Sequence, residues 1–330
     1  MTGPRTRPAT AQVSPWAVAA LGAAGAATAA AVWGIGIERH LFTVRRREVA
    51  VLPSGSAPLR VLHLADAHMA PWQHRKARWI ARLAEREQPD LVINTGDNLG
   101  HTDALAALRR AFEPLRGVPG LFVHGSNDVI APKVRNPFGY LAGPSQRHRE
   151  PATLDTEAMD AWFTDQLGWT ALNNTAARLT VCGIRLDAFG VDDAHNGWDE
   201  LEAIPDAIAG LRPRRATPDL TLGVTHAPYR RVLDRFAELG ADMVFAGHTH
   251  GGQVRVPFSP SALVANCDVP LDQARGLSSW SAGDRTIALN VSAGLGHSIF
   301  APVRFGCVPE ASILTLRPAP EPVGDSATRR

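Results

Sequence analysis

The sequence predicts an α/β protein built as two sheets packed face to face with helices outside, preceded by one membrane-crossing helix. Three observations predict it. Apolar runs of strand length alternate with amphipathic runs of helical length, first over residues 59–124 and again over residues 178–316. Such alternation places strands side by side in parallel with helices packed on the sheet faces. Asp, His and Asn recur just after the apolar runs, where open α/β sheets form their sites. Ahead of all this, Trp16 to Ile37 is a run of 22 residues without a charge.

That run is long enough for a helix to cross about 30 Å of hydrocarbon at about 1.5 Å per residue. Trp16 and Trp33 lie near its ends, where amphipathic rings favour the interface. It reads as an uncleaved anchor behind a short tail (residues 1–15), making this a single-pass protein of the cell membrane. Arg5 and Arg7 before the run and Ala29-Ala30-Ala31 within it also fit a cleaved secretory signal. Arg39, Arg45, Arg46 and Arg47 outnumber Arg5 and Arg7, and the positive-inside tendency would keep the C-terminal bulk cytoplasmic. The sequence leaves the side of the membrane open.

Residues 38–58 read as a juxtamembrane linker, because VLPSGSAP at 51–58 mixes Pro, Gly and Ser between apolar stretches. The domain then spans residues 59–316. Leu59–Leu64 is a buried strand, Lys76–Arg86 a helix with Trp79, Ile80 and Leu83 on one face, and Leu91–Asn94 a strand. Asp103–Leu115 is a helix and Leu121–His124 a strand. Residues 131–155, with Lys133, Arg135, Arg147, His148 and Arg149, break the pattern and read as a solvated surface insertion, with a phosphate-binding or membrane-facing lid as the sharper alternative. Thr156–Leu167 is a helix stopped by Gly168, and 178–181 with 184–189 make a hairpin across Cys182-Gly183. Strands at 222–225 and 243–246 flank a helix over Arg230–Leu239, and late strands fall near 254–256, 286–290 and 312–316. The final stretch, 317–330, is polar, Pro-rich and expected to be disordered.

Composition narrows the function. With 34 Lys+Arg against 32 Asp+Glu and 45% hydrophobic residues, the chain is neither disordered nor a multispan membrane protein. Its net charge of +2 lacks the basic excess of a dedicated nucleic-acid binder, so no nucleic-acid partner is expected. Cys182, Cys267 and Cys307 form no even framework and no close pair, which indicates neither a disulfide scaffold nor a zinc knuckle.

The chemistry sits at the strand ends: Asp66 and His68 after the first strand, Asp97 after the second, Asn127 and Asp128 after the third, His226 after the fourth, His248 and His250 after the fifth. D-x-H and G-D are common by chance, and a lone H-x-H is as often structural as metal-binding. Their joint occurrence in order is not common. Mixed carboxylate and imidazole ligands, with a carboxylate able to bridge, are what two divalent metals about 3.5–4 Å apart require.

In these blocks, ADAH at 65–68, TGDN at 95–98, GSND at 125–128, THAPY at 225–229 and GHTHGGQ at 247–253, the sequence resembles the calcineurin-like metallophosphoesterase family. With the segment GLGHSIFAPVRFGCVPEASIL and the membrane-proximal start, it looks like the YkuE/YaeI-type phosphodiesterase branch. The resemblance implies a four-layer α/β/β/α sandwich of two mixed sheets. It also implies two divalent ions (Mn, Fe or Zn): Asp66, His68 and His250 would hold the first, Asn127, His226 and His248 the second, and Asp97 would bridge. A hydroxide between the metals would then attack phosphorus in line with the leaving oxygen. The implied activity is a membrane-tethered phosphodiesterase or pyrophosphatase, whose substrate could be lipid-linked; a non-catalytic metal-binding scaffold of the same fold is the alternative.

One block departs from the family pattern. G-N-H-D supplies an Asn ligand and then a His that assists the leaving group, whereas Gly125-Ser126-Asn127-Asp128 has no His. Aligned without a gap, Ser126 takes the ligand position and Asn127 the His position. Shifted by one, Asn127 is the ligand and Asp128 replaces the His; the shift is preferred because an amide oxygen is the better divalent ligand. Loss of the His removes general-acid help of about 10²–10⁴-fold, and His101, His195 or His297 are the substitutes available from loops.

Overall fold

The computed structural model describes residues 14–132, 154–211, 217–259 and 261–320. Twelve strands run in chain order: β1 Thr43–Leu52, β2 Leu59–Leu64, β3 Leu91–Asn94, β4 Gly120–Phe122, β5 Trp169–Ala171, β6 Thr175–Val181, β7 Ile184–Gly190, β8 Leu220–Val224, β9 Met243–Ala246, β10 Gly276–Ala282, β11 Arg285–Val291 and β12 Glu310–Pro318. They form two six-stranded mixed sheets, ordered β1-β12-β2-β3-β4-β5 and β10-β11-β9-β8-β7-β6. Strands β2 to β5 are parallel, as are β7, β8, β9 and β11. The hairpin β6–β7 turns through Cys182 (φ 49°) and Gly183 (φ 81°), the two left-handed residues that a tight hairpin turn requires.

Three hydrophobic cores make four layers. One lies between the sheets, with Val61, Ile93 and Leu121 facing Leu186, Leu222 and Phe245. The second joins the outer face of the first sheet to the helices α2 (His74–Glu87) and α3 (Leu105–Phe112), and the third joins the second sheet to α6 (Ile204–Leu211) and α7 (Arg230–Glu238). In α2 the buried Ala77, Ile80, Leu83 and Ala84 recur at helical spacing, so one stripe faces the sheet. Strands β3 and β9 are buried at every residue because both their faces are covered, which is why they read as continuous apolar runs. Of the other helices, α4 (Ser126–Val129) is a single turn and α5 (Thr156–Ala161) continues as a π-helical turn to Leu167, ending at left-handed Gly168.

Three expectations need correction. Residues 38–58 are not a free linker. They contain β1, which pairs in parallel with β12 and places Leu52 (1% exposed) in the inter-sheet core. Its Arg-rich sequence conceals a strand whose charges are matched: Arg45 pairs with buried Glu310 at 2.7 Å and Arg46 with Glu87 at 2.5 Å. The late strand near 254–256 reduces to one bridge between Val254 and Phe305. Residues 317 and 318 belong to β12 and not to a tail, and residues 321–330 fall outside the described residues. The basic insertion, from Lys133 to Arg149, falls outside the described residues.

The first helix, α1 (Pro15–Ala31), has no buried residue. The helical stretch Pro15–His40 is long and apolar enough to cross a membrane by length and composition. Its far end is seated on the domain: Glu38 accepts from the Trp33 indole (2.6 Å) and from the Cys307 amide (2.6 Å), and the Arg304 amide donates to the Gly34 carbonyl (3.1 Å). A Cβ on Gly34 would come within 2.9 Å of the Arg304 carbonyl oxygen, so only glycine permits this approach.

A chain beginning at residue 59 therefore exposes the β12 edge and the pocket left by Leu52. Relative to a chain beginning at Leu41, it is expected to melt about 5–10 °C lower, a loss of a few kcal/mol for a domain this size, as read by thermal denaturation.

Candidate metal centre

All the strand-end blocks meet at one edge of the two sheets. The loops after β2 and β3 run side by side, joined by bonds from the Asp66, His68 and Met69 amides to the Gly96, Asp97 and Asn98 carbonyls at 2.9, 2.9 and 2.7 Å. The loop after β9 closes from the other sheet, its His248 amide donating to both Asp66 carboxylate oxygens at 3.1 Å. Asp66, His68, Asp97, His248 and His250 all have positive φ, between 39° and 67°. Non-glycine residues rarely hold that conformation, and strain of this kind gathers where a site over-determines the backbone.

Two constellations result. Asp66, His68 and His250 each bring a ligand atom within 4.8 Å of the others, and so do Asp66, Asp97 and His226. Between them lies the Asp97 carboxylate, with Oδ2 3.4 Å from His68 Nε2 and 3.6 Å from His226 Nε2. The His226 Nδ1 donates to the Thr95 carbonyl at 2.7 Å, which fixes the ring with Nε2 facing Asp97. His248 lies beside it, Nδ1 3.3 Å from His226 Nε2 and Nε2 3.1 Å from the Asn266 carbonyl. Asn127 donates to Asp97 twice, through its amide (2.6 Å) and its Nδ2 (2.7 Å).

This donor set fits divalent cations. Asp66 is fully buried and Asp97 nearly so (0% and 3% exposed). Burial raises the Asp66 carboxyl above its ordinary range, against His226. Burial lowers His68 to about 4 and takes His248 and His250 well below the ordinary value, so these rings are neutral, as a metal ligand must be. Burial pulls His226 the same way, but Asp97, Asp193 and Asp66 outweigh it and push it to about 9. Neither ring nitrogen of buried His68 has a hydrogen-bond partner among the described residues, an arrangement that native cores avoid unless something else fills the position. A Cβ at Gly125 would strike the Asp97 carboxylate and the His226 ring, so that glycine keeps the room beside both.

Asp128 stands elsewhere than the shifted alignment expects. Fully buried, its carboxylate accepts from the amides of Asp97 (2.7 Å), Asn98 (2.7 Å) and Gly125 (3.0 Å). Both oxygens are used to hold the Asp97 loop against the 125–128 turn. Burial and the nearby Asp97 raise its carboxyl to about 6. Of the three histidines considered as substitutes for the family His, His195 has its ring 4.4 Å from that of His248 and its Nδ1 2.9 Å from the Tyr229 hydroxyl. His101 packs on Trp72, and His297 lines a separate cleft.

Two residues went unread in the sequence. Arg304 is fully buried and donates to the carbonyls of Ala293 (2.7 Å), Gly296 (2.5 Å) and His250 (3.3 Å), with Nη2 3.3 Å from His250 Nδ1. It braces the back of a candidate ligand, and no sequence pattern marks a buried arginine. Lys76 donates to the Ala67 carbonyl at 2.5 Å behind His68; it lies one turn before Ile80 on the buried stripe of α2, a weak signal.

The calcineurin-like phosphoesterase profile matches residues 59–252, and the chain belongs to that family. It is a metal-dependent phosphoester hydrolase by that membership. It is 21% identical over 301 residues to YkuE of Bacillus subtilis (strain 168), described as an uncharacterized metallophosphoesterase, covering 89% of this chain and 93% of YkuE. It is 27% identical over 301 residues to phosphodiesterase YaeI of Escherichia coli (strain K12), covering 89% and 96%. Among solved structures, the 5′-nucleotidase precursor of Thermus thermophilus aligns with a TM-score of 0.43 at 14% identity, over 80% of this chain and 55% of that one. The NAD nucleotidase of Haemophilus influenzae aligns with a TM-score of 0.42 at 11% identity, over 72% and 51%. The chain spans about half the length of these two.

Asp128→Asn removes a charged acceptor from two short amide bonds and is expected to cost about 2–3 kcal/mol of stability. A urea titration measures this, with bound metal per chain, counted by elemental analysis, falling in parallel.

Proposed function

We propose that this phosphoesterase is a two-metal phosphohydrolase held at a membrane by its N-terminal helix and acting on a phosphodiester or pyrophosphate. The observation that carries this reading is the position of Asp97, whose Oδ2 lies between His68 Nε2 and His226 Nε2 at 3.4 and 3.6 Å. Asp66, His68 and His250 would hold one ion, Asn127, His226 and His248 the other, and Asp97 both. Bound there, divalent ions supply a water activated for in-line attack on phosphorus and offset charge on the phosphoryl oxygens.

The chain's own residues do the rest. Thr95 and Asn266 orient the His226 and His248 rings, Arg304 braces His250, and Asp128 fixes the backbone that carries Asp97. Asp128 is thus a positioning residue. Its clamp on the backbone leaves Asn127, 2.7 Å from Asp97, as the side chain of this block that lies beside the shared carboxylate. Similarity to a phosphodiesterase along 89% of the chain supports a diester. The apolar helix supports a substrate that is itself at the membrane, a lipid-linked phosphate ester among them. Manganese, iron and zinc all suit a mixed imidazole and carboxylate set.

The missing family His is the observation that favours the scaffold reading, and one assay separates the two. With Mn²⁺, the full chain in detergent is expected to hydrolyse bis-p-nitrophenyl phosphate, EDTA to abolish the rate, and Asp97→Asn to lower it by about 10³-fold or more. Parent activity no higher than that of Asp97→Asn under Mn²⁺, Fe²⁺ and Zn²⁺ would establish the scaffold.

A further inference from the structure

Beside the metal centre, a cleft opens where the N-terminal helix meets the domain. Its walls carry Arg39 and His40 from the end of the helix, Trp72, Arg75 and Lys76 from the start of α2 and the turn before it, and His297 from the loop before β12. No carboxylate is among the described residues that line it. Five nitrogen-bearing cationic or imidazole side chains therefore gather in one concavity without an acidic partner there, an arrangement that favours a bound anion.

Three further observations say which anion. The Nε of Arg39 is buried and has no hydrogen-bond partner among the described residues, a donor that needs an acceptor from outside the chain. The apolar helical stretch ends at His40, so Arg39 and His40 stand where a spanning helix leaves hydrocarbon, at the depth of lipid phosphates. The lining is partly apolar: Trp72 is 59% exposed and Phe42 half-buried, as expected of side chains that sit among headgroups and upper acyl chains.

We propose that this cleft binds the phosphate headgroup of an anionic phospholipid of the surrounding bilayer. The inference rests on the reading of the first helix as a membrane span, and not on the hydrolytic reaction. Lys76 ties the cleft to the centre, since the same ammonium bonds to the Ala67 carbonyl (2.5 Å) and approaches that of His68 (3.5 Å). A lipid seated here would lie against the outer wall of the loop that carries Asp66 and His68.

The test uses the full chain, stripped of metal with EDTA, in neutral detergent micelles, so that the outcome is independent of catalysis. Native mass spectrometry with dioleoyl phosphatidylglycerol or dioleoyl phosphatidylcholine at equal concentration is expected to show the anionic lipid retained preferentially. Arg39→Gln/Arg75→Gln should weaken that retention by about tenfold or more, from two cations each contributing on the order of 1 kcal/mol. Arg75 is exposed and its side chain has no hydrogen bond or ion pair among the described residues, so Arg75→Glu alone provides a folded variant expected to lose the lipid as well. With Mn²⁺ restored, hydrolysis of bis-p-nitrophenyl phosphate by these variants should stay within about twofold of the parent. Equal retention of the two lipids, or unchanged retention by both variants, would overturn the proposal. Millimolar inorganic phosphate displacing phosphatidylglycerol as effectively as added lipid would assign the cleft to free phosphate instead. Loss of hydrolysis with lipid retention intact would count against the reaction and not the cleft, and a full chain soluble without detergent would count against the span.

Discussion

Two carboxylates brought together without water, Asp66 from one loop and Asp97 from its neighbour, set the terms for everything around them. Like charges this close and this buried repel strongly in a low dielectric, so the surroundings must either supply positive charge or keep one acid protonated. The protein answers with imidazoles that burial keeps neutral, one that the acids keep charged (His226), and amide donors from His248 and Asn127. Such an arrangement is poorly balanced on its own and well balanced around divalent cations. The left-handed backbone at both acids and at His68, His248 and His250 is the conformational cost of aiming these side chains inward from strands that end in parallel.

Around that centre the four layers act as a jig. Two sheets hold their carboxyl ends against each other, so residues separated by up to 184 positions, Asp66 and His250, arrive within a few ångströms. Because β3 and β9 are packed on both faces, a shift by one residue would exchange the side chains fitted to the inter-sheet core with those fitted to the helix layer. Register in the cores thus sets the distances between the candidate ligands.

Most of this was legible in the sequence, and the reasons differ by element. Strands β2, β3 and β9 match their expected bounds to the residue because a doubly covered strand is an unbroken apolar run. The convergence of Asp66, His68, Asp97, His226, His248 and His250 was legible because these residues follow those strands in order. Strand β1 was hidden by three consecutive arginines, whose partners Glu310 and Glu87 lie far along the chain; ion pairs at long range leave no periodicity. Asp128 was misread because a carboxylate that clamps backbone amides and one that meets a substrate look alike in a four-letter motif. Arg304 had no signal at all, since its acceptors are main-chain carbonyls, which every sequence has.

The pairing of β1 with β12 has a consequence for biosynthesis. Thr43 bonds to Pro309, 266 residues further on, so the strand that follows the helix waits for nearly the whole chain before it finds its neighbour. At about 5–20 residues per second, that wait is on the order of 13–50 s. Throughout it the helix has already emerged, while Glu38 and Gly34 lack Cys307 and Arg304 and the loop bracing His250 does not yet exist. The last strand to leave the ribosome thus completes the sheet, seats the helix and finishes the centre in a single closing step.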